Sequence, residues 1–516
     1  MSVEPLETEF GRKRQINQST CNKDYSCVKG FCPSFITVEG GQLKKKSKGD
    51  AKTNPFTLGE LPEPVVPRIG TGQVWGTVVA GVGGTGVITI GQLLGMAAHI
   101  EGKGIVTQDA AGLAQKGGST WSHVLIANTA KDICTTRVGT AGADLIIGCD
   151  PIVAANKETM LRMLAGRTHV ALNAHSAPTA SFVHDGAWQN PGSACQAEIA
   201  KAVGAENVGT FNADLAATKL MGDSIYTNPM LLGYAWQKGW LPLTLDSLLR
   251  AIELNAVAID NNKTALAWGR RAAHDLPSVE KLFAPSQVIA LPTARDSVNA
   301  LVAKRVEFLT AYQNADYAKT YEAFVRKTEA AESGLGTTLL TQNVARYLFK
   351  LMAYKDEYEV ARLHTDTAFL NKINGMFEGD FKLNYNLAPP LLSKKNEKGE
   401  LQKRQLGPWM LTGFKVLARL KGLRGTALDV FGKTQERKME RALIGEYTRS
   451  IDTLLETLNA SNHALAVEVA RIPELIKGYG HVKERNVKTA RLQWAGLMTA
   501  YAKPQPSVET AHRAAA

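Results

Sequence analysis

The sequence of 516 residues is 44% hydrophobic, 21% charged and 7% aromatic, a globular balance that excludes a mainly disordered or fibrous chain. At about 150 residues per domain, three domains are expected, and a chain of this length buries its cores without disulfide staples. Lys and Arg number 60 against 48 Asp and Glu, and the net charge of +12 suits an acidic protein, an anionic cofactor or nucleic acid without choosing among them.

Residues 1–40 form a head that carries Cys21, Cys27 and Cys32, while Cys134, Cys149 and Cys195 are scattered. Glu4, Glu7, Glu9, Arg12, Lys13 and Arg14 leave no apolar region for a secretion signal, so a cytoplasmic, reducing setting is expected. Clustered thiols in such a setting point to a metal or a redox cofactor. The run Cys21-x5-Cys27-x4-Cys32-Pro33 suits thiolate ligation of an iron–sulfur cluster, and a Cys-Pro pair often closes bacterial ferredoxin runs. Zinc competes, although three cysteines without a neighbouring histidine leave its tetrahedron incomplete. Three free thiols clustered by chance also stay open. Cys149 reads as a small buried hydrophobe at a strand end, so a fourth cluster ligand is expected from outside the chain.

Residues 41–68 read as a linker, because Lys44, Lys45, Lys46 and Lys48 cannot enter a core and Pro62, Pro64 and Pro67 favour extended backbone. The stretch 69–100 lacks Asp, Glu, Lys and Arg, yet glycines such as Gly76, Gly81, Gly86 and Gly91 interrupt it, so no membrane span is expected.

Residues 69–285 alternate strand-like runs (75–80, 105–107, 122–127, 144–148, 169–173 and 208–212) with helical patterns, notably 87–100 and 152–165. Short apolar strands separated by helices predict an α/β doubly wound, mostly parallel sheet covered on both faces. Gly81-Val82-Gly83-Gly84-Thr85-Gly86 follows the first strand and opens a helix, the context of a dinucleotide turn, where glycines permit positive φ and helix amides face an anion. An NAD site also wants an acid near the end of the second strand, and Asp109 falls somewhat late for it. An NAD(P)-dependent Rossmann dehydrogenase, another anionic pocket and a purely structural turn all stay open. A second loop contains Lys116, Gly117, Gly118 and Ser119. Two such loops at one sheet edge make a crevice at a topological switch point, or else two plain surface turns.

Residues 286–516 read as a mainly α-helical domain of unknown role. Val298, Leu301, Val302, Val306 and Leu309 fall on one helical stripe, and Met439, Leu443, Ile444, Tyr447, Ile451, Leu454, Leu455 and Leu458 on another. Basic residues are dispersed with no aromatic-basic motif, so no nucleic-acid partner is expected. His123, His175 and His481 read as structural or surface histidines, and Lys483 and Arg485 as a solvated helix end rather than a phosphate site.

Cys21-Asn-Lys-Asp-Tyr-Ser-Cys27-Val-Lys-Gly-Phe-Cys32-Pro-Ser, together with the turn at Gly81–Gly86, resembles the indolepyruvate ferredoxin oxidoreductase family. The stretch from about 74 to 270 resembles the gamma, or catalytic-domain, module of 2-oxoacid:ferredoxin oxidoreductases, with Asn228-Pro-Met-Leu-Leu-Gly233 and Asn262-Lys-Thr-Ala-Leu-Ala-Trp-Gly269 matching its later patterns. Leu387-Ala-Pro-Pro390, Arg424-Gly-Thr-Ala-Leu-Asp-Val-Phe-Gly432 and Gly478-Tyr-Gly-His-Val-Lys-Glu-Arg-Asn486 resemble the C-terminal domain of long bacterial members.

The resemblance implies oxidative decarboxylation of an aryl 2-oxoacid such as indolepyruvate to an acyl-CoA, with ferredoxin as electron acceptor. It implies 4Fe–4S clusters and thiamine diphosphate with magnesium. It makes Cys21, Cys27 and Cys32 cluster ligands and turns Gly81, Gly83, Gly84, Gly86, Lys116, Gly117, Gly118 and Ser119 towards substrate or CoA. No catalytic acid or base is assigned. Gly222-Asp223-Ser224 with Asn261-Asn262 is the one near match to a magnesium–diphosphate motif. The thiamine site is therefore expected on an alpha subunit or on upstream sequence. The head then counts as part of a ferredoxin-like segment, and the chain as a beta subunit or the C-terminal portion of a fused enzyme. A non-catalytic assembly subunit is the remaining alternative.

Overall fold

The computed structural model describes residues 3–18, 21, 23–29, 34–44, 54–111, 118–179, 182, 188–283, 297–388 and 402–503. Val74–Val82 (β1), Gly104–Ala111 (β2), Ser119–Ala127 (β3), Leu145–Gly148 (β4), His169–Asn173 (β5) and Val208–Phe211 (β6) form a 6-stranded sheet in the order β6-β5-β4-β1-β3-β2. β1, β4, β5 and β6 pair in parallel, whereas β3 runs antiparallel to both β1 and β2. The expected sheet is thus present with one strand reversed. Only the short segment 112–118 joins β2 to β3, too little for a parallel crossover, so the two make a hairpin.

Alternation along the strands divides the core in two. Val79, Val124, Ile126, Leu145 and Ile147 pack against Val87–Ile100 (α1) on one face. Val78, Leu125, Ile146, Val170 and Leu172 meet Ile199 and Val203 of Gly192–Val203 (α2) on the other. Three further helices, Thr227–Gln237 (α3), Leu245–Asn255 (α4) and Ile259–His274 (α5), complete the first face. α3 and α5 touch backbone to backbone at Gly233 and Gly269, where an added Cβ would lie 2.0 Å from the Leu266 oxygen and 1.8 Å from the Met230 oxygen. That contact gives the strings ending in these two glycines a packing role.

The helix expected over 152–165 is instead broken into Pro151–Ala154 and Lys157–Met160. Asn156 takes extended backbone, and its side-chain oxygen accepts the Glu158 amide at 3.2 Å, so the chain restarts a helix rather than continuing one.

The C-terminal region holds Val298–Tyr312 (α6), Ala315–Glu332 (α7), Leu339–Met352 (α8), Glu357–Thr365 (α9), Met410–Arg419 (α10), Gln435–Glu456 (α11), His463–Arg471 (α12) and Gly480–Ala502 (α13). Both sequence stripes enter its core: Leu301, Val302, Leu309, Leu443, Tyr447, Ile451 and Leu454 are buried. Tyr312, Tyr321, Tyr447 and Tyr501 pass through that core and donate their hydroxyls to the carbonyls of Tyr354, Ala345, Ala470 and Leu454. The string 424–432 is an internal brace. Buried Arg424 binds both oxygens of buried Asp356 at 2.6 and 2.8 Å, and its guanidinium stacks 3.7 Å from the Tyr312 ring. Lys483, read as a solvated helix end, is tied to Glu440.

The head does not stand apart. Ser34–Glu39 pairs antiparallel with Lys382–Leu387, which pairs with Arg404–Leu406, and Phe10 stacks on Phe349 and meets Phe308 at a tilt. The later part of the linker is clamped to the sheet domain, since Arg271 donates to the carbonyls of Pro55, Leu58 and Gly59. The expected boundary at 285 lies outside the described residues.

Of the two readings left open for His123, structural or surface, the fold gives the first: it is buried, and its Nδ1 accepts the Val138 amide at 3.3 Å. Burial, with Arg162 and Arg137 nearby, pushes its pKa down to about 4. An unfolded histidine titrates near 6.5, so on acidification the unfolded chain takes the proton first. The stabilisation is complete above that value and is lost as pH falls towards 4. His123→Gln is therefore expected to flatten the loss of stability between about pH 6.5 and about pH 4 in urea titrations.

Candidate functional site

β1 and β4 lie side by side at the centre of the sheet, and the strands that follow each in the chain lie on opposite sides, the switch point where an open α/β fold leaves a crevice. Gly81 ends within β1, and a Cβ there would lie 2.7 Å from Cys149 Cβ and 2.8 Å from Val87 Cγ2, so glycine lets the two strand ends close up. Gly84 and Gly86 take φ of +85° and +92°, which bends the chain into α1. No side chain caps α1 at Gly86, and Gly84 and Thr85 are exposed.

The second loop meets the first directly: the Gly83 amide donates to the Gly118 carbonyl at 2.7 Å, and Val82 lies opposite Ser119. Gly81, Gly83, Gly84, Gly86, Gly118 and Ser119 are thus brought together. Lys116 and Gly117 lie outside the described residues. Asn228, buried at the start of α3, donates from Nδ2 to the Thr85 carbonyl at 2.8 Å and fixes the turn from beneath.

Beside this turn the ends of β4 and β5 carry polar groups, of which the sequence reading named only His175, as a structural or surface histidine. Buried Asp150 accepts the amides of Ile152 and Val153 on Oδ1 and that of Ala177 on Oδ2. Burial pushes its carboxyl up, against the pull of those amides and of His175. Burial likewise raises Asp214, with neighbouring Asp223 adding to the rise and His175 opposing it. Asn173 holds the strand ends in place, donating to the Cys149 carbonyl and accepting the amides of His175 and Ala213. His175 is thus close enough to Asp150 and Asp214 to act on both electrostatically. A histidine directly beyond an apolar strand was the available signal, but its acidic neighbours come from distant segments. Burial drives the Cys149 thiol far up, in keeping with a packing role.

A dinucleotide site would need β2 beside β1 in parallel, with an acid at its end. Here β3 separates them, and Asp109 is exposed on the edge strand opposite Ser122. The Gly222-Asp223-Ser224 segment does not fit a magnesium diphosphate. Asp223 caps Ile225, Asn261 donates to the Tyr226 hydroxyl, and Asn262 donates to the Val257 carbonyl.

In the head, Cys27 lies in the turn Ser26–Lys29, and Cys21 Sγ accepts the Lys23 amide at 3.4 Å. Burial raises the Cys27 thiol and the nearby Cys21 raises it further, so two thiols of the right chemistry for a cluster are neighbours. Cys32 lies outside the described residues, and among those described no group of three metal-ligating side chains forms. Among them, too, no helix is long and apolar enough to cross a membrane.

Residues 76–272 match the family described as pyruvate ferredoxin/flavodoxin oxidoreductase, and residues 298–496 match a family of unknown function (DUF6537). The indolepyruvate oxidoreductase subunit IorB of Pyrococcus horikoshii is 30% identical over 204 residues, covering 39% of this chain and 96% of the relative. Its counterpart in Archaeoglobus fulgidus is 28% identical over 203 residues, covering 38% and 94%. Among solved structures, the pyruvate oxidoreductase subunit PORC of Thermotoga maritima is similar at 18% identity and a TM-score of 0.28, covering 39% of this chain and 96% of that one.

Proposed function

Since the chain belongs to the pyruvate ferredoxin/flavodoxin oxidoreductase family, we propose that it is the gamma-type portion of an aryl-2-oxoacid:ferredoxin oxidoreductase. The carrying observation is that its sheet domain spans nearly the whole of an indolepyruvate oxidoreductase subunit at 30% identity. In this reading the carboxylate of indolepyruvate or a similar acid leaves as carbon dioxide and the acyl group passes to the CoA thiol, giving acyl-CoA, one proton and two electrons that reduce ferredoxin. Thiamine diphosphate, held on a partner subunit or on further sequence, supplies the carbanion chemistry.

This chain's contribution is a wall for that reaction. The turn at Gly81, Gly83, Gly84 and Gly86, bonded to Gly118 and braced by Asn228, offers backbone without side-chain bulk. The partial positive charge at the start of α1, with Ser119 opposite Val82, favours an anionic group such as a CoA phosphate or the substrate carboxylate, a role to which Lys116 and Gly117 are assigned from the sequence. Asp214, whose carboxyl burial pushes up, can hold a proton beside the turn. Cys21, Cys27 and Cys32 are assigned to an iron–sulfur cluster that carries electrons outwards.

The test is coexpression with a thiamine-binding partner and assay of indolepyruvate-dependent viologen reduction. Asn228→Ala removes the buried brace and is expected to lower turnover about tenfold at a stability cost of about 1–2 kcal/mol. Turnover of arylpyruvate by this chain alone would overturn the proposal, as would an iron-free complex.

A further inference from the structure

Arg404–Leu406 leads directly into α10. Just before it, Lys403 Nζ donates to the Val28 carbonyl and lies 4.8 Å from the Phe35 ring. The approach to α10 therefore adjoins the turn that carries Cys27. One side of α10 packs inwards, burying Phe414, with Met410, Leu411, Leu417 and Ala418, against Tyr385 and Ala361.

Its other side is bare. Trp409 is 66% exposed, Val416 56% and Leu420 43%. At 3.6 residues per turn, positions i, i+7 and i+11 fall on one line, so these three form a continuous apolar stripe rather than scattered exposures. Lys415 and Arg419 stand exposed along one flank, and the following loop adds exposed Leu428, Val430 and Lys433. From 402 to 435 the sole acid is Asp429, which is buried with its oxygens on the amides of Gly425 and Gly432. The face therefore combines apolar anchors with cations and presents no exposed acid within this segment.

We propose that this face docks a small acidic one-electron carrier, a ferredoxin-type iron–sulfur protein, beside the cysteine-bearing turn. The proposal rests on the redox reading of Cys21, Cys27 and Cys32 given above. Like-charged exposed residues steer an oppositely charged partner and fix its orientation, while an exposed tryptophan supplies the desolvated anchor. Redox encounters bury little area, so one helix face and its adjoining loop suffice. A second copy of this chain fits poorly, because a two-fold pairing would bring Lys415 and Arg419 against themselves.

The test titrates the complete complex, thiamine-binding partner included, with a clostridial-type ferredoxin at about 50 and about 300 mM salt. Lys415→Glu with Arg419→Glu is expected to weaken binding at least about tenfold at low salt and to flatten the salt dependence, and Trp409→Ala about fivefold. Lys319→Glu, at an exposed cation of α7, should change nothing. Viologen reduction by 2-oxoacid should persist in every variant. Unchanged ferredoxin affinity in the Trp409 and charge-reversal variants overturns the proposal. Intact ferredoxin binding with lost adhesion to phosphatidylserine vesicles, or with lost self-association, overturns it in favour of those occupants. Absent viologen reduction in the unsubstituted complex refutes the proposed function instead, and the titration still reads the docking.

Discussion

Gly269→Ala is expected to destabilise the sheet domain by about 3 kcal/mol or more and to abolish activity with it. The new methyl carbon would sit 1.8 Å from the Met230 oxygen, 2.7 Å from the Met230 carbonyl carbon and 2.9 Å from the Tyr234 nitrogen. All three are main-chain atoms, so no rotamer change can make room. α3 cannot retreat either, since it is buried from Thr227 to Trp236 between α5 and the sheet. Any shift of α3 also carries Asn228 away from Thr85, which is how a packing defect reaches the glycine turn. Gly496→Ala on α13 is the matched control. Nothing lies within 4 Å of its added carbon, and better helix propensity should raise stability by about 0.5–1 kcal/mol. Urea unfolding of both variants checks the contrast.

Arg424→Met is expected to cost about 3–5 kcal/mol, because it leaves the Asp356 carboxylate buried without its partner. The pair is almost sealed from solvent, with side-chain exposures of 2% and 3%, so water cannot replace the lost cation. Adding Asp356→Asn to the same chain should recover most of the loss. The amide carries no charge, and its oxygen can still accept the Glu359 amide that starts α9. A double-mutant cycle by urea denaturation measures the coupling. If the double variant is as unstable as Arg424→Met, the loss comes from the stacking of the guanidinium on Tyr312 instead.

The strands were legible because residues such as Leu145, Ile146 and Ile147 are buried on both faces and so read as unbroken apolar runs. Apolar runs carry no direction, and with strands expected only at 105–107 and 122–127 the shortness of the connection that reverses β3 was hidden. Asn156 was available as a cap residue within the expected helix 152–165, but apolar spacing outweighed it. The glycine turn announced itself through residues that only tight geometry requires. Its brace did not, since Asn228 lies 143 positions beyond Thr85 and meets it only in the folded chain. Asp214 escaped for the same reason, and His175 and Asp223 were named without being connected to it: no local pattern shows that β5 and the segments after β6 end together.

The pairing of Ser34–Glu39 with Lys382–Leu387 has a consequence for synthesis on the ribosome. Glu39 and its hydrogen-bonding partner Asn384 are 345 positions apart, which at 5–20 residues per second is a wait of roughly 20–70 s. During that interval the sheet domain has all its own strands and can fold first, as an insert between two halves of another unit. The amino-terminal strand meanwhile offers an unpaired edge, so nascent chains stalled before residue 382 should be those most dependent on holdase chaperones.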